Sequence, residues 1–246
     1  MRYLILSDLH ANLEALDAVA RHAKGQYDRS FCCGDLVGYG ADPNPVVEWV
    51  RGNCAVIVRG NHDRACTGLE DLEWFNPVAR AAAVWTLENL SPENVAYVRD
   101  LPQGPAFVEG IQVLHGSPCD EDDYVVGADQ AAQAFTYLES RLAFFGHTHL
   151  QGGFIWNQER VETIPSISLQ SDRQTLDIDS SGGYLLNPGS VGQPRDGDPR
   201  AAYAVYDTDR SVVDYYRVDY DVEAAQRKIR DAGLPSFLAE RLSLGR

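Results

Sequence analysis

Five short apolar runs in the sequence are each followed at once by acidic, amide or imidazole side chains. In chain order these polar residues are Asp8 and His10, Asp35, the group Asn61, His62 and Asp63, then His115, and finally His147 and His149. Only one of the six histidines, His22, lies outside this set. Imidazole binds Zn, Mn, Fe, Co and Ni, whereas carboxylate and amide oxygens suit harder divalent ions such as Mn. The absence of cysteine from the set disfavours a structural zinc site.

A mixed set of nitrogen and oxygen ligands points to hydrolytic chemistry on phosphate. One carboxylate can bridge two metal ions about 3.5–4 Å apart, an arrangement used for phosphoester hydrolysis. Metal binding lowers the pKa of water from about 15.7 to about 7, which supplies a metal-bound hydroxide that can attack phosphorus. Glycines 34, 60 and 146 precede ligand candidates, and we expect them to let the chain turn sharply from strand to loop.

These side chains can meet only if the apolar runs are neighbouring strands of a sheet. Short apolar runs bounded by polar residues predict buried strands at 2–6, 31–33, 54–58, 111–114 and 141–145. Helical spacing or capping residues predict helices at 12–23, 45–51, 76–89, after Ser91 and at 129–138. Alternating strands and helices predict parallel βαβ units. The carboxyl ends of parallel strands converge on one crevice, where ligands bind.

The pattern changes after Gly152, where alternation and turn residues predict a mainly antiparallel region over 152–217. We expect strands at 153–157, 160–164, 183–187, 202–207 and 211–217. The polar stretch 166–183 is predicted to be a mobile loop or a hairpin, and Asp120 to Asp123 a solvated acidic turn. Closing helices are expected over 221–244, at 221–232 and 235–244. No linker divides the chain, so residues 1–246 are predicted to form a single mixed α/β domain.

The excess of acidic over basic residues limits the classes of molecule that the protein is expected to bind. Asp and Glu number 36 and Lys and Arg 21, which gives a net charge of −15. Proteins that bind duplex nucleic acid neutralise its phosphates with basic patches. We therefore expect no duplex nucleic acid partner and, for the same reason, no membrane partner. A small phosphorylated substrate remains compatible, because divalent cations in an acidic pocket reverse the local field. The sequence does not indicate an oligomeric state.

Cysteine usage and hydropathy bear on the cellular compartment. No apolar run reaches the length of about 18 residues that a transmembrane helix needs, and the apolar start of the chain is too short for a signal-peptide core. The five cysteines are odd in number and include no CxxC motif. This usage is typical of reduced cysteines, so a cytoplasmic location is predicted.

The ordered set of motifs resembles the calcineurin-like metallophosphoesterase superfamily. The motifs that carry the resemblance are Asp8-x-His10, Gly34-Asp35, Gly60-Asn61-His62-Asp63, His115 and Gly146-His147-x-His149. The run Asn187-Pro188-Gly189-Ser190 and residues 7–16 are similar to a small bacterial and archaeal branch. That branch contains YfcE-type phosphodiesterases and proteins described as diadenosine tetraphosphatase-like.

The resemblance implies a four-layer α/β/β/α sandwich with two mixed central sheets and two divalent metal ions. It implies that Asp8, His10, Asp35 and His149 hold the first ion and that Asp35, Asn61, His115 and His147 hold the second. His62 would be a catalytic residue that acts on the leaving oxygen rather than a ligand. Manganese is the expected metal, with Fe, Zn, Ni, Co or Mg as alternatives.

The function predicted is that of a dinuclear metal-dependent phosphoesterase for a small, nucleotide-like phosphodiester or phosphomonoester. A non-catalytic scaffold of the same fold and a nuclease of the same superfamily are the alternatives. Two residues are candidates for substrate contact. Asn12 would bind a phosphate or cap the first helix, and Arg195 would bind a second phosphate or be a solvated loop arginine.

Overall fold

The computed structural model describes residues 1–167 and 169–246, with Trp74 described by its backbone alone. Its strands form two six-stranded mixed sheets. The strands are β1 (Arg2–Leu6), β2 (Arg29–Cys32), β3 (Val56–Ile57), β4 (Ala106–Val108), β5 (Ile111–Val113), β6 (Leu142–Phe144), β7 (Gly152–Trp156), β8 (Val161–Ile164), β9 (Arg173–Asp177), β10 (Gly183–Asn187), β11 (Ala201–Asp207) and β12 (Val212–Val218). The helices are α1 (Leu13–His22), α2 (Pro43–Asn53), α3 (Asn61–Ala65), α4 (Pro77–Asn89), α5 (Pro92–Arg99), α6 (Ala128–Phe135), α7 (Val222–Asp231) and α8 (Ser236–Glu240), with 3₁₀ helices at Leu72–Trp74 and Arg241–Leu244.

Each sheet contains three parallel strands whose carboxyl ends are level. The first sheet has the order β3-β2-β1-β11-β12-β9, in which β1, β2 and β3 are parallel. The second has the order β4-β5-β6-β10-β7-β8, in which β5, β6 and β10 are parallel. Leu6 pairs with Cys32, and Cys32 with Ile57, so the loops that follow these strands begin side by side.

Alternate side chains of the apolar strands pack on opposite faces of their sheet. In β1, Tyr3 and Ile5 belong to the core between the two sheets, where Phe144 and Leu186 of the second sheet join them. Leu4 of the same strand packs in a core that also holds the buried residues of α1 and α2. A further core joins the outer face of the second sheet to α6. The predicted α/β/β/α sandwich with two mixed central sheets is therefore confirmed.

The structure corrects two predictions about local elements. The stretch 166–183 contains β9, which pairs with β12 at the edge of the first sheet, while Ser168 of that stretch lies outside the described residues. The region after Gly152 is mainly antiparallel, as predicted, although β10 also pairs in parallel with β6 of the second sheet. The closing helix expected at 235–244 is divided between α8 and the 3₁₀ helix that follows it. Strand β4 was not predicted at all.

Among the described residues, no helix has the length and apolarity that would be needed to cross a membrane. A single domain over residues 1–246 stays a prediction.

Candidate metal centre

Loops that follow β1, β2, β3, β5 and β6 converge at the carboxyl ends of the parallel strands. Main-chain hydrogen bonds join them: the N–H of Asp8 donates to Gly34 O at 3.0 Å, and the N–H of His10 donates to Asp35 O at 3.0 Å. Across the two sheets, the N–H of His147 donates to Asp8 Oδ1 at 3.1 Å. The strand ends therefore carry their polar residues to one place, as the sequence predicts.

A first group of buried ligand atoms lies at the end of β1. His10 Nε2 is 3.1 Å from His149 Nε2. His149 Nε2 is 3.4 Å from Asp8 Oδ1, and His10 Nε2 is 3.5 Å from Asp35 Oδ2. The four residues Asp8, His10, Asp35 and His149 are all buried, and each offers one ligand atom within 4.8 Å of the others.

A second group shares the Asp35 carboxylate with the first. His115 Nε2 is 3.5 Å from Asp35 Oδ2 and 3.2 Å from Asn61 Oδ1. His147 Nδ1 is 3.0 Å from the same Asn61 oxygen. Asp35 Oδ2 therefore faces both groups, which is the geometry expected of a bridging oxygen.

The other nitrogen of each imidazole contacts a backbone carbonyl, and these contacts indicate which nitrogen is free to bind a metal. Nδ1 of His10 faces Val37 O at 3.1 Å, Nδ1 of His115 faces Cys33 O at 2.7 Å, and Nδ1 of His149 faces Gln193 O at 2.5 Å. His147 is reversed, because its Nε2 faces Asp122 O at 3.2 Å. A ring N–H that donates to a carbonyl leaves the opposite nitrogen with its lone pair.

With the ring nitrogens protonated in this way, the nitrogen and oxygen atoms that face the middle of each group are hydrogen-bond acceptors, and they face other acceptors. The bare Nε2 atoms of His10 and His149 face each other, and the bare Nδ1 of His147 faces Asn61 Oδ1. Asp8 Oδ2 and Asp35 Oδ2 are buried with no hydrogen-bond donor among the described residues. Buried lone pairs are costly unless a donor or a cation satisfies them. The residues therefore fit divalent metal ions.

The pKa values of the buried groups show the same need for positive charge. Burial raises the pKa of the Asp8 carboxyl to about 7. Burial also acts to lower the pKa of His115, but the charges of Asp35 and Asp8 outweigh it and raise that pKa to about 10. Burial lowers the pKa of His147 to about 3, so that ring is neutral at physiological pH. His147 is therefore in the neutral state that metal coordination requires, whereas the proton that the carboxylates hold on His115 is one that a bound cation would displace.

Backbone strain is concentrated at the ligand residues. Asp8, His10, Asp35, His147 and His149 have positive φ angles between 46° and 65°. For residues other than glycine this region costs about 1–2 kcal/mol each, and such strain clusters at functional sites. The hydrogen-bonded loops around the site therefore maintain a conformation that the ligand residues would not adopt alone.

The glycines before the ligands allow a close approach of the chain as well as a sharp turn. Gly34 has φ +96°, in agreement with the predicted sharp turn. At Gly60, by contrast, a Cβ would lie 2.1 Å from Asp35 Oδ1, and at Gly146 a Cβ would lie 2.9 Å from Asp8 Oδ2. Neither of these two has a positive φ, so they are needed because the chain passes against the ligand carboxylates.

Asp63 fixes the position of Asp35, a role that the sequence analysis did not assign. Its Oδ2 accepts hydrogen bonds from the N–H groups of Asp35 at 2.9 Å and Gly60 at 3.0 Å. Its Oδ1 accepts from Leu36 N–H at 2.8 Å and Val37 N–H at 3.3 Å. This fully buried carboxylate thus joins the loops after β2 and β3. In the sequence, this role was indicated by the position of Asp63 at the end of the Gly-Asn-His-Asp motif.

His62 lies beside both groups of ligand atoms without belonging to either. Its main-chain N–H donates to Asp35 Oδ1 at 2.9 Å. The centre of its ring is 4.3 Å from that of Tyr39 and 5.0 Å from that of His10. Its Nδ1 is buried and has no hydrogen-bond partner in the part of the chain that the structure describes, and burial lowers the pKa of the ring to about 4.

The segment 117–126 packs over the second group, and its predicted acidic turn is exposed at Asp120, Asp122 and Asp123 but not at Glu121. Glu121 is 3% exposed because it pairs with two arginines, Arg59 at 3.0 Å and Arg64 by a shorter contact. Arg64 also pairs with Asp122 at 2.7 Å. The ring centre of Tyr124 is 3.9 Å from that of His147. Arg64 thus anchors this segment to α3.

The structure separates the two candidates for substrate contact. Asn12 caps α1, because its Oδ1 accepts from Ala15 N–H at 3.2 Å, and its Nδ2 donates to Gly192 O at 2.8 Å. The capping alternative is therefore confirmed. Arg195 lies next to the first group, with its guanidinium 5.8 Å from the centre of the Tyr39 ring. The structure brings the seven predicted ligands, His62 and Arg195 to one end of the sandwich.

Comparison with known proteins identifies the class to which this fold and site belong. The calcineurin-like phosphoesterase superfamily domain matches residues 1–211, and the chain belongs to this family. The predicted superfamily is confirmed.

Individual relatives cover the whole chain. An uncharacterized protein of Methanocaldococcus jannaschii is 38% identical over 249 residues, which span 98% of this chain and 97% of that protein. The crystal structure of a metallophosphoesterase from Sphaerobacter thermophilus is 40% identical, covers 100% of this chain and 99% of that one, and has a TM-score of 0.86. A hypothetical protein from Pyrococcus horikoshii shares the fold at 20% identity, with a TM-score of 0.77 and coverage of 100% and 98%. The narrower YfcE-like branch stays a prediction.

Replacing Gly60 by alanine should weaken metal binding, because the new Cβ would displace the Asp35 carboxylate. We expect the affinity for Mn²⁺ to fall about 10- to 100-fold in competition with a fluorescent chelator. Gly52→Ala is the matched control, since a Cβ at this exposed helical position meets nothing within 4 Å. Unchanged affinity in Gly60→Ala would show that Asp35 does not bind metal.

Replacing Asp63 by asparagine should destabilise the fold, because an NH₂ group would face main-chain N–H donors. We expect the free energy of unfolding, measured by urea denaturation in the presence of Mn²⁺, to fall by about 2–3 kcal/mol. Asp17→Asn, at an exposed position of α1, should leave it unchanged. Equal stability of the two variants would contradict the role given to Asp63.

Proposed function

We propose that this protein is a dinuclear metal-dependent phosphoesterase that hydrolyses a small, nucleotide-like phosphodiester or phosphomonoester. The observation that carries the proposal is the shared Asp35 Oδ2, which lies 3.5 Å from His10 Nε2 in one group of ligand atoms and 3.5 Å from His115 Nε2 in the other. Membership of the calcineurin-like phosphoesterase superfamily supports the same reaction class.

The proposed ligands divide into two sets that share Asp35. Asp8, His10, Asp35 and His149 would hold the first ion, and Asp35, Asn61, His115 and His147 the second. Divalent ions bound there supply Lewis acidity, which activates water and neutralises charge on the phosphoryl oxygens. Manganese suits the mixed nitrogen and oxygen donors, and Fe, Zn, Ni, Co or Mg are the alternatives.

The role proposed for His62 is to stabilise the leaving oxygen with a ring N–H, or to protonate it once the charge of a bound phosphate raises the low pKa of the buried ring. Among the described residues, the ring of His62 is the only imidazole at a strand end that lies outside both groups of ligand atoms. The hydrogen bond from its main-chain N–H to Asp35 Oδ1 fixes its distance from the bridging carboxylate. Tyr39 and His10 hold the plane of the ring. A positioned imidazole of this kind contributes to catalysis by proton transfer in the transition state.

Substrate binding is proposed to use the guanidinium of Arg195. Its Nε is buried without a hydrogen-bond partner in the part of the chain that the structure describes. A guanidinium binds phosphate through parallel N–H donors. The partner we propose is therefore a small phosphorylated molecule, and Asn12 acts through the fold as a helix cap.

A reducing, cytoplasmic location is proposed on the state of the cysteines. All five cysteines are free; Cys32, Cys33 and Cys66 are buried, Cys54 is half-buried and Cys119 is exposed. Burial raises the pKa of the Cys33 thiol well above its usual range, so this group is protected from oxidation.

Replacing His62 by alanine should lower turnover while two metal ions remain bound. General acid catalysis contributes about 10²- to 10⁴-fold, and we expect kcat for a chromogenic phosphoester to fall within this range. Metal content is measured on the same samples by mass spectrometry. His22→Ala, at an exposed position outside the site, should keep both turnover and metal. Loss of metal in His62→Ala equal to the loss of turnover would make His62 a ligand.

Chelation tests the enzyme against the scaffold alternative. We expect hydrolysis of bis(para-nitrophenyl) phosphate or para-nitrophenyl phosphate in the presence of Mn²⁺, its loss after treatment with a chelator, and its return when Mn²⁺ is added again. The preference between the two esters distinguishes a diesterase from a monoesterase. Failure to hydrolyse either ester with Mn²⁺ bound would favour a non-catalytic scaffold.

A further inference from the structure

Arg195 lies at the edge of the metal centre with donors that the protein does not satisfy. Its main-chain N–H donates to His149 O at 3.2 Å, which ties the residue to a ligand loop. One terminal nitrogen donates to Gln193 Oε1 at 3.1 Å, while Nε is buried and has no partner in the described structure. The guanidinium faces the ring of Tyr39 at 5.8 Å.

A second guanidinium, that of Arg241, reaches the same place from the far end of the sequence. Arg241 begins the last 3₁₀ helix, and the next residue, Leu242, packs in the cluster that contains Tyr39. The helix is held against the loop of Arg195, because Gly197 N–H donates to Gly245 O at 2.9 Å. Burial and then the charge of Arg195 lower the pKa of Arg241 to about 10. The two cations are thus close enough to repel each other.

Neither arginine pairs with an Asp or Glu side chain among the described residues, although the chain has a net charge of −15. The Nε of Arg241 donates to the main-chain O of Arg246, and its guanidinium lies 5.5 Å from the centre of the Phe237 ring. Other arginines around this loop are paired: Arg200 with Asp198 at 2.7 Å, and Arg217 with Asp196 by a shorter contact. Two half-buried guanidinium groups in adjacent segments, with no acidic side chain to pair with, are unfavourable. An anion that contacts both removes this cost, and phosphate suits the planar donors of arginine.

We propose that Arg195 and Arg241 together bind a second phosphate group, which the substrate carries in its leaving group. This inference rests on the proposed function and specifies its substrate class. Tyr39 is near both residues: its ring centre is 5.8 Å from the Arg195 guanidinium and 4.3 Å from the ring centre of His62. Because His62 is assigned to the leaving oxygen, a group beyond that oxygen extends towards the two arginines.

The reaction for such a substrate is hydrolysis at the first phosphorus. A bond forms between the oxygen of water and that phosphorus, and the bond from phosphorus to the bridging oxygen breaks. The electron pair remains on the bridging oxygen, which departs with the second phosphate, and the proton lost by the water goes to the solvent. In a nucleoside diphosphate the bond broken is a phosphoanhydride bond rather than an ester bond. For adenosine diphosphate as a probe, one water is consumed, and orthophosphate and adenosine monophosphate are released.

The test compares two stable phosphonates that differ in one anionic group. Binding of methylenediphosphonate and of methylphosphonate to the Mn²⁺-loaded protein is measured by calorimetry in the wild type and in Arg195→Gln and Arg241→Gln. We expect each variant to lose about tenfold or more in affinity for the diphosphonate relative to the monophosphonate. Arg241→Lys keeps the charge and should retain part of the preference. Arg230→Gln, at an exposed position of α7, should leave both affinities unchanged.

If the variants lost affinity equally for the two phosphonates, the arginines would contact the attacked phosphate, and the inference would be overturned. Unchanged affinity for both phosphonates would overturn it as well. Melting temperatures close to that of the wild type confirm that the variants fold. Hydrolysis of the chromogenic esters is measured separately. Hydrolysis together with an unchanged preference leaves the proposed function standing without the second phosphate site. A lost preference in a protein that hydrolyses no ester supports the binding site and rejects the phosphoesterase.

Discussion

The carboxylate of Asp35 is the interaction on which the rest of the structure depends. Its Oδ1 accepts the main-chain N–H of His62 at 2.9 Å, and its Oδ2 faces His10 and His115 at 3.5 Å each. His10 follows a strand of the first sheet and His115 follows a strand of the second. One side chain therefore links the two sheets at the point where they open, and its position must be fixed from several directions.

The position of the Asp35 carboxylate is fixed by neighbouring residues, through hydrogen bonds and through the space that they leave for it. Asp63 holds the N–H of Asp35, and Gly60 leaves room for its carboxylate because any Cβ there would overlap it. The left-handed backbone of Asp35, with φ 56°, is stabilised by these hydrogen bonds. A rigid, buried frame of this kind keeps acceptor atoms close together that would otherwise separate, and so preserves the shape of a site for cations.

The ligand residues were predictable because each follows an apolar run that can only be a buried strand. Other features depend on contacts that sequence periodicity does not report. Strand β9 has alternating exposure and forms because β12 offers it an open edge. Glu121 is buried only because Arg59 and Arg64 reach it from another loop. Arg241 enters the site through packing of the last helices, more than 40 residues after the loop of Arg195.

The reversed imidazole of His147 makes the two halves of the centre unequal. Its Nε2 faces Asp122 O, in a segment anchored by the Arg64–Asp122 ion pair, whereas His10 and His149 face carbonyls next to buried loops. An ion pair whose acidic partner is about half exposed weakens as ionic strength rises. In the dinuclear centre that we propose, the ion beside His147 would therefore exchange with the surrounding solution sooner than its neighbour. Ionic strength and the cellular supply of metals would then determine which metal occupies the position beside His147, and would have less effect on the other position.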